Sequence, residues 1–194
     1  VLARQLEAMA RASRESGAET WVMAPMISTP AEAAEFAGLA RAAGLGTVGV
    51  MVEIPSAALQ AEEILSEVDF VSIGTNDLAQ YAMATDRQAS GLGGLQDPWQ
   101  PAVLRLLGMV GRAGRLAGKP VGVCGEAAAD PALAAVLVGL GVTSLSMALR
   151  ALEPVRRALA RVTVEDCRRA AEAALASSGP AAAREEVFRV LEMR

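Results

Sequence analysis

Histidine is missing from all 194 residues. That absence removes serine–histidine and cysteine–histidine dyads, histidine-ligated zinc and every imidazole proton shuttle. Any chemistry must run on carboxylates, amides, guanidinium groups or a thiol. Cysteine is scarce as well: Cys124 and Cys167 are too few and too far apart for a disulfide framework or a thiolate metal site, a usage that fits the reducing cytoplasm. There is no excess of positive charge. Eighteen basic against twenty-two acidic side chains give a net charge of −4, so no basic field exists to neutralise a phosphate backbone, and generic nucleic-acid binding is excluded. No secretory signal is visible either. The chain opens at Val1 on a charged, alanine-rich helical pattern rather than a basic and then apolar leader, and this start reads as the middle of something longer.

One uncharged run, Ala132 to Leu149, reaches the low end of the roughly 17 to 25 residues that span a membrane. It is broken by Gly139-Leu140-Gly141 and continues as Val-Thr-Ser-Leu-Ser-Met, which predicts a helix end, a turn and a short strand instead of membrane insertion. What remains is a globular composition. Hydrophobic residues form 53% of the chain and charged residues 21%, a balance that excludes general disorder, and the length suits a domain of roughly 100 to 200 residues.

The apolar pattern alternates between short β-rich runs and helical stretches. Val22–Met26, Val48–Glu53, Phe70–Gly74, Val121–Gly125 and Ser144–Met147 are the predicted strands, each nearly continuous in apolar or small residues, as parallel strands buried on both faces require. Amphipathic helices are predicted at Pro30–Ala43, Ser56–Ser66, Pro101–Ala117 and Pro131–Gly139. Thr29-Pro30 and Asp130-Pro131 have the form of an N-cap followed by an N1 proline, and Gly44 and Gly118 of C-terminal stops. The repeat is therefore a βα unit, an α/β fold with a parallel sheet. Strand starts recur every 22 to 26 residues except between Phe70 and Val121, where the interval is about twice as long. The extra length, containing Gly91, Gly93, Gly94 and Asp97-Pro98-Trp99-Gln100-Pro101, is predicted to be a lid or a site wall. Two or three alanine- and arginine-rich helices follow Met147, interrupted at Ser177-Ser178-Gly179-Pro180.

The informative residues stand where strands end. One strand runs into Glu53, the next into Thr75-Asn76-Asp77, and a third into Cys124-Gly125-Glu126. Parallel α/β sheets of barrel and open type build their sites at this edge. An acid after an apolar strand is costly to bury without a partner. Glu53 and Asp77 are thus either oxygen ligands for Mg²⁺, one from each strand, or helix N-caps. Asn76 is a donor for phosphate or carboxylate, or an Asx turn; Gly74 would let a ligand approach the backbone. Arg87 is a phosphate fork or a surface residue. Cys124, between two glycines at the end of a buried strand, is a ligand-facing thiol or a small core residue, whereas Cys167, on a terminal helix, reads as structural. Glu126 either orients the thiol or a nearby water, or caps the helix near Pro131.

Three stretches also carry a resemblance. Asp69-Phe-Val-Ser-Ile-Gly-Thr-Asn-Asp-Leu-Ala-Gln-Tyr-Ala-Met-Ala-Thr-Asp-Arg87 is similar over nineteen consecutive positions to the signature of phosphoenolpyruvate-utilising enzymes. Gly49-Val-Met-Val-Glu-Ile-Pro55 and Gly122-Val-Cys-Gly-Glu-Ala-Ala-Ala-Asp130 resemble that family's other landmarks in order and spacing. The Enzyme I group, which begins bacterial sugar phosphotransfer, is the most similar branch, from about Gln5 to the C-terminus. The resemblance implies a TIM (β/α)8 barrel of which residues 1–194 supply about the last five βα units, residues 148–194 being its closing helices. It implies Mg²⁺ on Glu53 and Asp77, phosphoenolpyruvate on Asn76, Asp77 and Arg87, and Cys124 as the residue that protonates the enolate. The implied partners are phosphoenolpyruvate and pyruvate, a phosphohistidine domain and, through it, the histidine-containing phosphocarrier protein, with a homodimer in the cytoplasm.

Departures accompany the match. Ala79 stands where threonine is usual, and the first three strands, with further substrate-binding arginines, have no counterpart before Val22, so the chain alone is expected to lack turnover. Two other functions remain open: the homologous barrel of pyruvate phosphate dikinase or phosphoenolpyruvate synthase, and a non-catalytic dimerisation piece whose unpaired sheet edge invites association.

Overall fold

The structure is a computed structural model that describes residues 1–86 and 94–192. Five parallel strands carry it: β1 (Trp21–Ala24), β2 (Thr47–Val52), β3 (Phe70–Gly74), β4 (Val121–Cys124) and β5 (Ser144–Ser146). They pair in chain order, β1-β2-β3-β4-β5. A doubly wound sheet reverses its strand order at a switch point. Here each βα unit is added beyond the last in one direction, which is the topology of a barrel arc. The α/β fold is the expected partial TIM barrel.

The helices are α1 (Leu2–Ser16), α2 (Pro30–Ala42), α3 (Pro55–Leu59), α4 (Ala61–Glu67), α5 (Thr75–Ala82), α6 (Pro101–Ala117), α7 (Pro131–Leu140), α8 (Leu149–Leu159), α9 (Val164–Ala176) and α10 (Pro180–Val190), with a 3-10 turn at Glu126–Ala129. On the helix-facing side of the sheet, alternate residues Val48, Val50, Val52, Val71, Ile73, Val121 and Val123 are buried and join one core with Phe36, Ile64, Leu104, Leu107, Leu133 and Leu137. The other side differs from the expectation of burial on both faces. Trp21, Met23, Ser144 and Ser146 are exposed: β1 and β5 are the sheet's edges, and among the described residues no helix covers these side chains. Burial there is local. The Phe70 ring lies over Gly49, where a Cβ would approach within 2.5 Å of it, and meets the Trp21 ring with centroids 4.9 Å apart. Gly49 on β2 is therefore the gap through which β1 and β3 touch.

The caps follow the sequence. Thr29 and Glu32 form a reciprocal capping box on α2, with backbone N–H groups of Ser28 and Thr29 holding the Glu32 carboxyl below its ordinary value. Asp130 accepts from the N–H groups of Ala132 and Leu133 at the head of α7, so the capping role open to Glu126 falls to Asp130. Two helix readings differ. The helix expected over Ser56–Ser66 is two, α3 and α4, because Gln60 leaves the helical region (φ −109°, ψ 27°) and its side chain donates to the Ser56 carbonyl at 3.2 Å. Asp77 is not an N-cap: α5 already begins at Thr75, which places Asp77 in the first turn, where the helix dipole favours an acid. The uncharged run after Ala132 divides into α7, a left-handed Gly141 (φ 105°) and β5. Among the described residues no helix is long and apolar enough to cross a membrane.

The terminal helices dock by close approach. A Cβ on Gly139 of α7 would lie 2.0 Å from the Cys167 carbonyl oxygen of α9. Cys167 itself is buried, and burial before all else pushes its thiol up, away from the reactive thiolate. At the start of α9, Thr163 and Asp166 form a second capping box, whose backbone hydrogen bond from Thr163 does most to hold the Asp166 carboxyl at about 2.

Gly139→Ala should therefore destabilise the fold by about 2 kcal/mol through overpacking. The urea midpoint would fall at unchanged slope; an unmoved midpoint contradicts the close docking. The Asp166 box also sets an acid limb. With its folded value depressed from 3.8, Asp166 contributes stability that is present above about pH 4 and lost as pH falls towards 2. The melting-temperature gap between wild type and Asp166→Asn should close over that interval.

Candidate active site at the strand ends

Register brings the three strand ends together. Val52 pairs with Ile73, Gly74 with Cys124, and Cys124 with Ser146. Glu53, the Gly74-Thr75 step and Cys124 thus stand in a row along the carboxyl edge of the sheet.

Glu53 is the most confined acid there, 6% exposed. Its Oε2 accepts from the Met26 N–H at 2.9 Å. Met26 adopts a left-handed backbone (φ 57°), an uncommon state for a residue with a side chain and one that concentrates at functional sites. The other carboxylate oxygen leans on β3, where a Cβ at Gly74 would come within 2.5 Å of Oε1. The space above Gly74, expected to admit a ligand, is taken by Glu53.

The β3 and β4 ends interlock. Thr75, 4% exposed, donates its hydroxyl to the Cys124 carbonyl at 3.0 Å, and the Cys124 thiol donates to the Ile73 carbonyl at 3.5 Å. Gly125 follows with φ 98° and ψ −166°, a region reserved almost wholly for glycine. A Cβ there would stand 2.8 Å from Thr75 Oγ1 and 3.2 Å from Asn76 Oδ1. The half-exposed thiol is therefore held on a backbone that has little freedom.

Thr75, Asn76, Ala79, Gln96, Pro98 and Glu126 line a cavity of about 200 Å³ on this edge. Gln96 and Pro98 come from the segment expected to form a site wall; its residues 91–93 lie outside the described residues. Gln96 is fixed by its amide, which donates to the Asp86 carbonyl at 2.6 Å. Of the residues named from sequence, Glu53, Asn76, Asp77 and Cys124 fall on one edge. Arg87 lies outside the described residues. Sequence reasoning passed over Thr75, Met26 and Gln96. Thr75 adjoins Asn76 and could have been found; Met26 acts through its backbone N–H and Gln96 through a side-chain tether to the Asp86 carbonyl, and neither contact carries a composition signal. Thr85, two residues before Arg87, holds a buried hydroxyl that has no hydrogen-bond partner among the described residues.

Glu53 and Asp77, the carboxylates expected from the resemblance to hold a hard cation, both stand on this edge. Among the described residues no group of three or more His, Cys, Asp and Glu side chains gathers into a metal cage. Mg²⁺ does not need one, since it commonly binds through one or two carboxylates with water and phosphate oxygens completing the octahedron. The donor set fits that ion.

A larger groove, about 770 Å³, lies towards the amino ends of the strands between α6, α7 and α9. Its arginines close helix ends: Arg115 donates to the Leu140 carbonyl at 2.7 Å and Arg105 to the Leu175 carbonyl at 3.1 Å. The chemistry-bearing residues are at the other end. Thr75→Val should leave the Cys124 carbonyl without its donor, lowering stability by about 1 to 2 kcal/mol and speeding alkylation of Cys124 by iodoacetamide. An unchanged alkylation rate would mean that the hydroxyl does not hold the thiol.

Comparison with known proteins identifies a family. The family described as PEP-utilising enzyme, PEP-binding domain, matches residues 1–164. The chain is 53% identical over 192 residues to a phosphoenolpyruvate-protein phosphotransferase of Streptomyces coelicolor, covering 98% of this chain and 34% of that protein. It is 41% identical over 184 residues to one from Geobacillus stearothermophilus, covering 88% and 31%. A multiphosphoryl transfer protein of Rhodobacter capsulatus is 42% identical over 186 residues, covering 93% and 22%. The chain thus spans between 22% and 34% of the length of these relatives. With the signature, the barrel arc and the strand-end residues in agreement, the chain belongs to the phosphoenolpyruvate-utilising enzymes, through their PEP-binding domain.

Proposed function

We propose that this chain is the larger part of the substrate barrel of a phosphoenolpyruvate–protein phosphotransferase. In this role it holds phosphoenolpyruvate and donates its phosphoryl group to a histidine on a separate domain, releasing pyruvate. The reading is carried by the convergence of Glu53, Asn76-Asp77 and Cys124 on one strand edge beside a cavity of about 200 Å³. The names of the relatives support it.

The residues divide the work by chemical type. Glu53 and Asp77 would hold Mg²⁺. When bound, the ion supplies positive charge to the phosphoryl oxygens as the bridging bond lengthens. Asn76 offers amide N–H donors to the substrate's phosphate or carboxylate, and Arg87, by family resemblance, a planar fork to the phosphate. Positioning and electrostatics dominate such a transfer. The bond between phosphorus and the enol oxygen breaks, and the phosphoryl group passes to the acceptor nitrogen. Enolpyruvate then takes a proton at its methylene carbon from the Cys124 thiol, which regains one from solvent. Ketonisation removes the nucleophile that would otherwise take the phosphoryl group back. The phosphohistidine domain passes the group to the histidine-containing phosphocarrier protein; the full-length enzyme is a cytoplasmic homodimer in this reading.

Two variants of the full-length protein test it. Cys124→Ala should lower pyruvate formation by about 10² or more while Mg²⁺-phosphoenolpyruvate still binds by calorimetry; normal turnover would remove the thiol from the mechanism. Glu53→Gln should bind phosphoenolpyruvate only at raised Mg²⁺ concentration. Wild-type Mg²⁺ dependence in that variant would reassign the metal.

A further inference from the structure

The wall of the strand-edge cavity is fastened to the last helix of the chain. Gln96 and Pro98 line the cavity, and Asp97 between them turns the other way. Its Oδ1 accepts from the Trp99 N–H at 2.9 Å and faces the Arg184 guanidinium of α10 at 3.5 Å. The same guanidinium stands 5.3 Å from the centre of the Trp99 ring. Trp99 has no exposed surface, and its indole N–H donates to Asp130 Oδ2 at 2.8 Å. The other Asp130 oxygen caps α7, and the Asp130 backbone N–H donates to the Ala127 carbonyl to close the turn that begins at Glu126, a further lining residue of the cavity. Arg184, distant in sequence from both, therefore touches Asp97 and the Trp99 ring, whose indole in turn reaches Asp130.

We propose that Arg184 is a positioning residue for the substrate, holding the Gln96–Pro98 wall at the width that grips phosphoenolpyruvate. The proposal rests on the phosphoenolpyruvate reading of the site. A guanidinium suits the position because it can pair with a carboxylate through its edge and cover an aromatic ring with its face. Glu53, Asp77 and Cys124 belong to the sheet edge rather than to this wall, so loosening the wall should weaken binding of ground state and transition state alike. Such a loss raises KM and leaves kcat in place.

Steady-state kinetics of the full-length protein at saturating Mg²⁺ test the proposal. Arg184→Ala should raise KM for phosphoenolpyruvate about fivefold with kcat within about twofold, and Arg184→Lys should recover part of the loss. Asp97→Asn keeps an amide oxygen for the Trp99 N–H but loses the charge. It should raise KM similarly, and the double variant should be no worse than either single one. An unchanged KM in Arg184→Ala, with only a lower melting temperature or a smaller active fraction, would make the contact merely structural and overturn the proposal. Additive effects in the double variant would do the same. If the wild type forms no pyruvate from phosphoenolpyruvate, the functional reading fails and this proposal with it, a result distinct from wild-type turnover with an indifferent Arg184.

Discussion

A carboxylate that must be buried at the end of a strand governs the architecture of the edge. Glu53 has only 6% of its surface exposed, and an anion so placed is tolerated only when its oxygens find donors or a cation. One oxygen draws the Met26 N–H towards it and holds that residue in a left-handed conformation. The other leans on β3 and forbids any side chain at Gly74. Strain in one loop and a glycine in the neighbouring strand are thus two consequences of a single acid. Local strain of this kind persists where its surroundings impose it, commonly at binding sites.

The two ends of the sheet are built for different purposes. At the amino ends, polar groups pair with one another: Asp69 accepts from the Val48 N–H at 2.9 Å and pairs with Arg41 at 3.2 Å, while the Thr143 hydroxyl bridges both backbone groups of Val121 at 3.0 Å. These contacts pin register. At the carboxyl ends, Thr75 is used in that way, towards the Cys124 backbone, while Asn76, Glu126 and Gln96 line a cavity instead. Barrels generally divide stability and chemistry between their ends in this manner. The nineteen-residue signature therefore spans both purposes, starting at an acid that fixes register and continuing through residues that face the cavity.

The elements were legible in the sequence because each strand is short, apolar and followed by turn chemistry, and because Thr29, Asp130 and Gly118 cap as their types demand. The break at Gln60 was not, since nothing in Ser56–Ser66 interrupts the helical period. Burial of the inner face was overestimated for a related reason: alternation reports which side of a strand is apolar, while cover depends on tertiary neighbours. The candidate site residues proposed for their side-chain chemistry, Glu53, Asn76, Asp77 and Cys124, were visible from their place after strands. Those that act through geometry were not. Met26 contributes an N–H, Gln96 a tether, and Arg184 a contact made from the far end of the chain, and none of these is encoded in spacing.

The missing histidine acquires a physical meaning at this edge. Histidine is the one side chain whose ordinary titration falls between pH 5 and 8, and it is the usual choice where a nitrogen must accept a group and release it again. Donation from phosphoenolpyruvate asks for something else: fixed negative charge to hold a cation, amides to orient oxygens, and a proton source at carbon. An imidazole beside Glu53 or Asn76 would compete with a mobile acceptor histidine for the same phosphoryl group, since both would lie within reach of the departing phosphorus. In the proposed reading the acceptor histidine is then the only imidazole beside the departing phosphorus, because this chain contributes none.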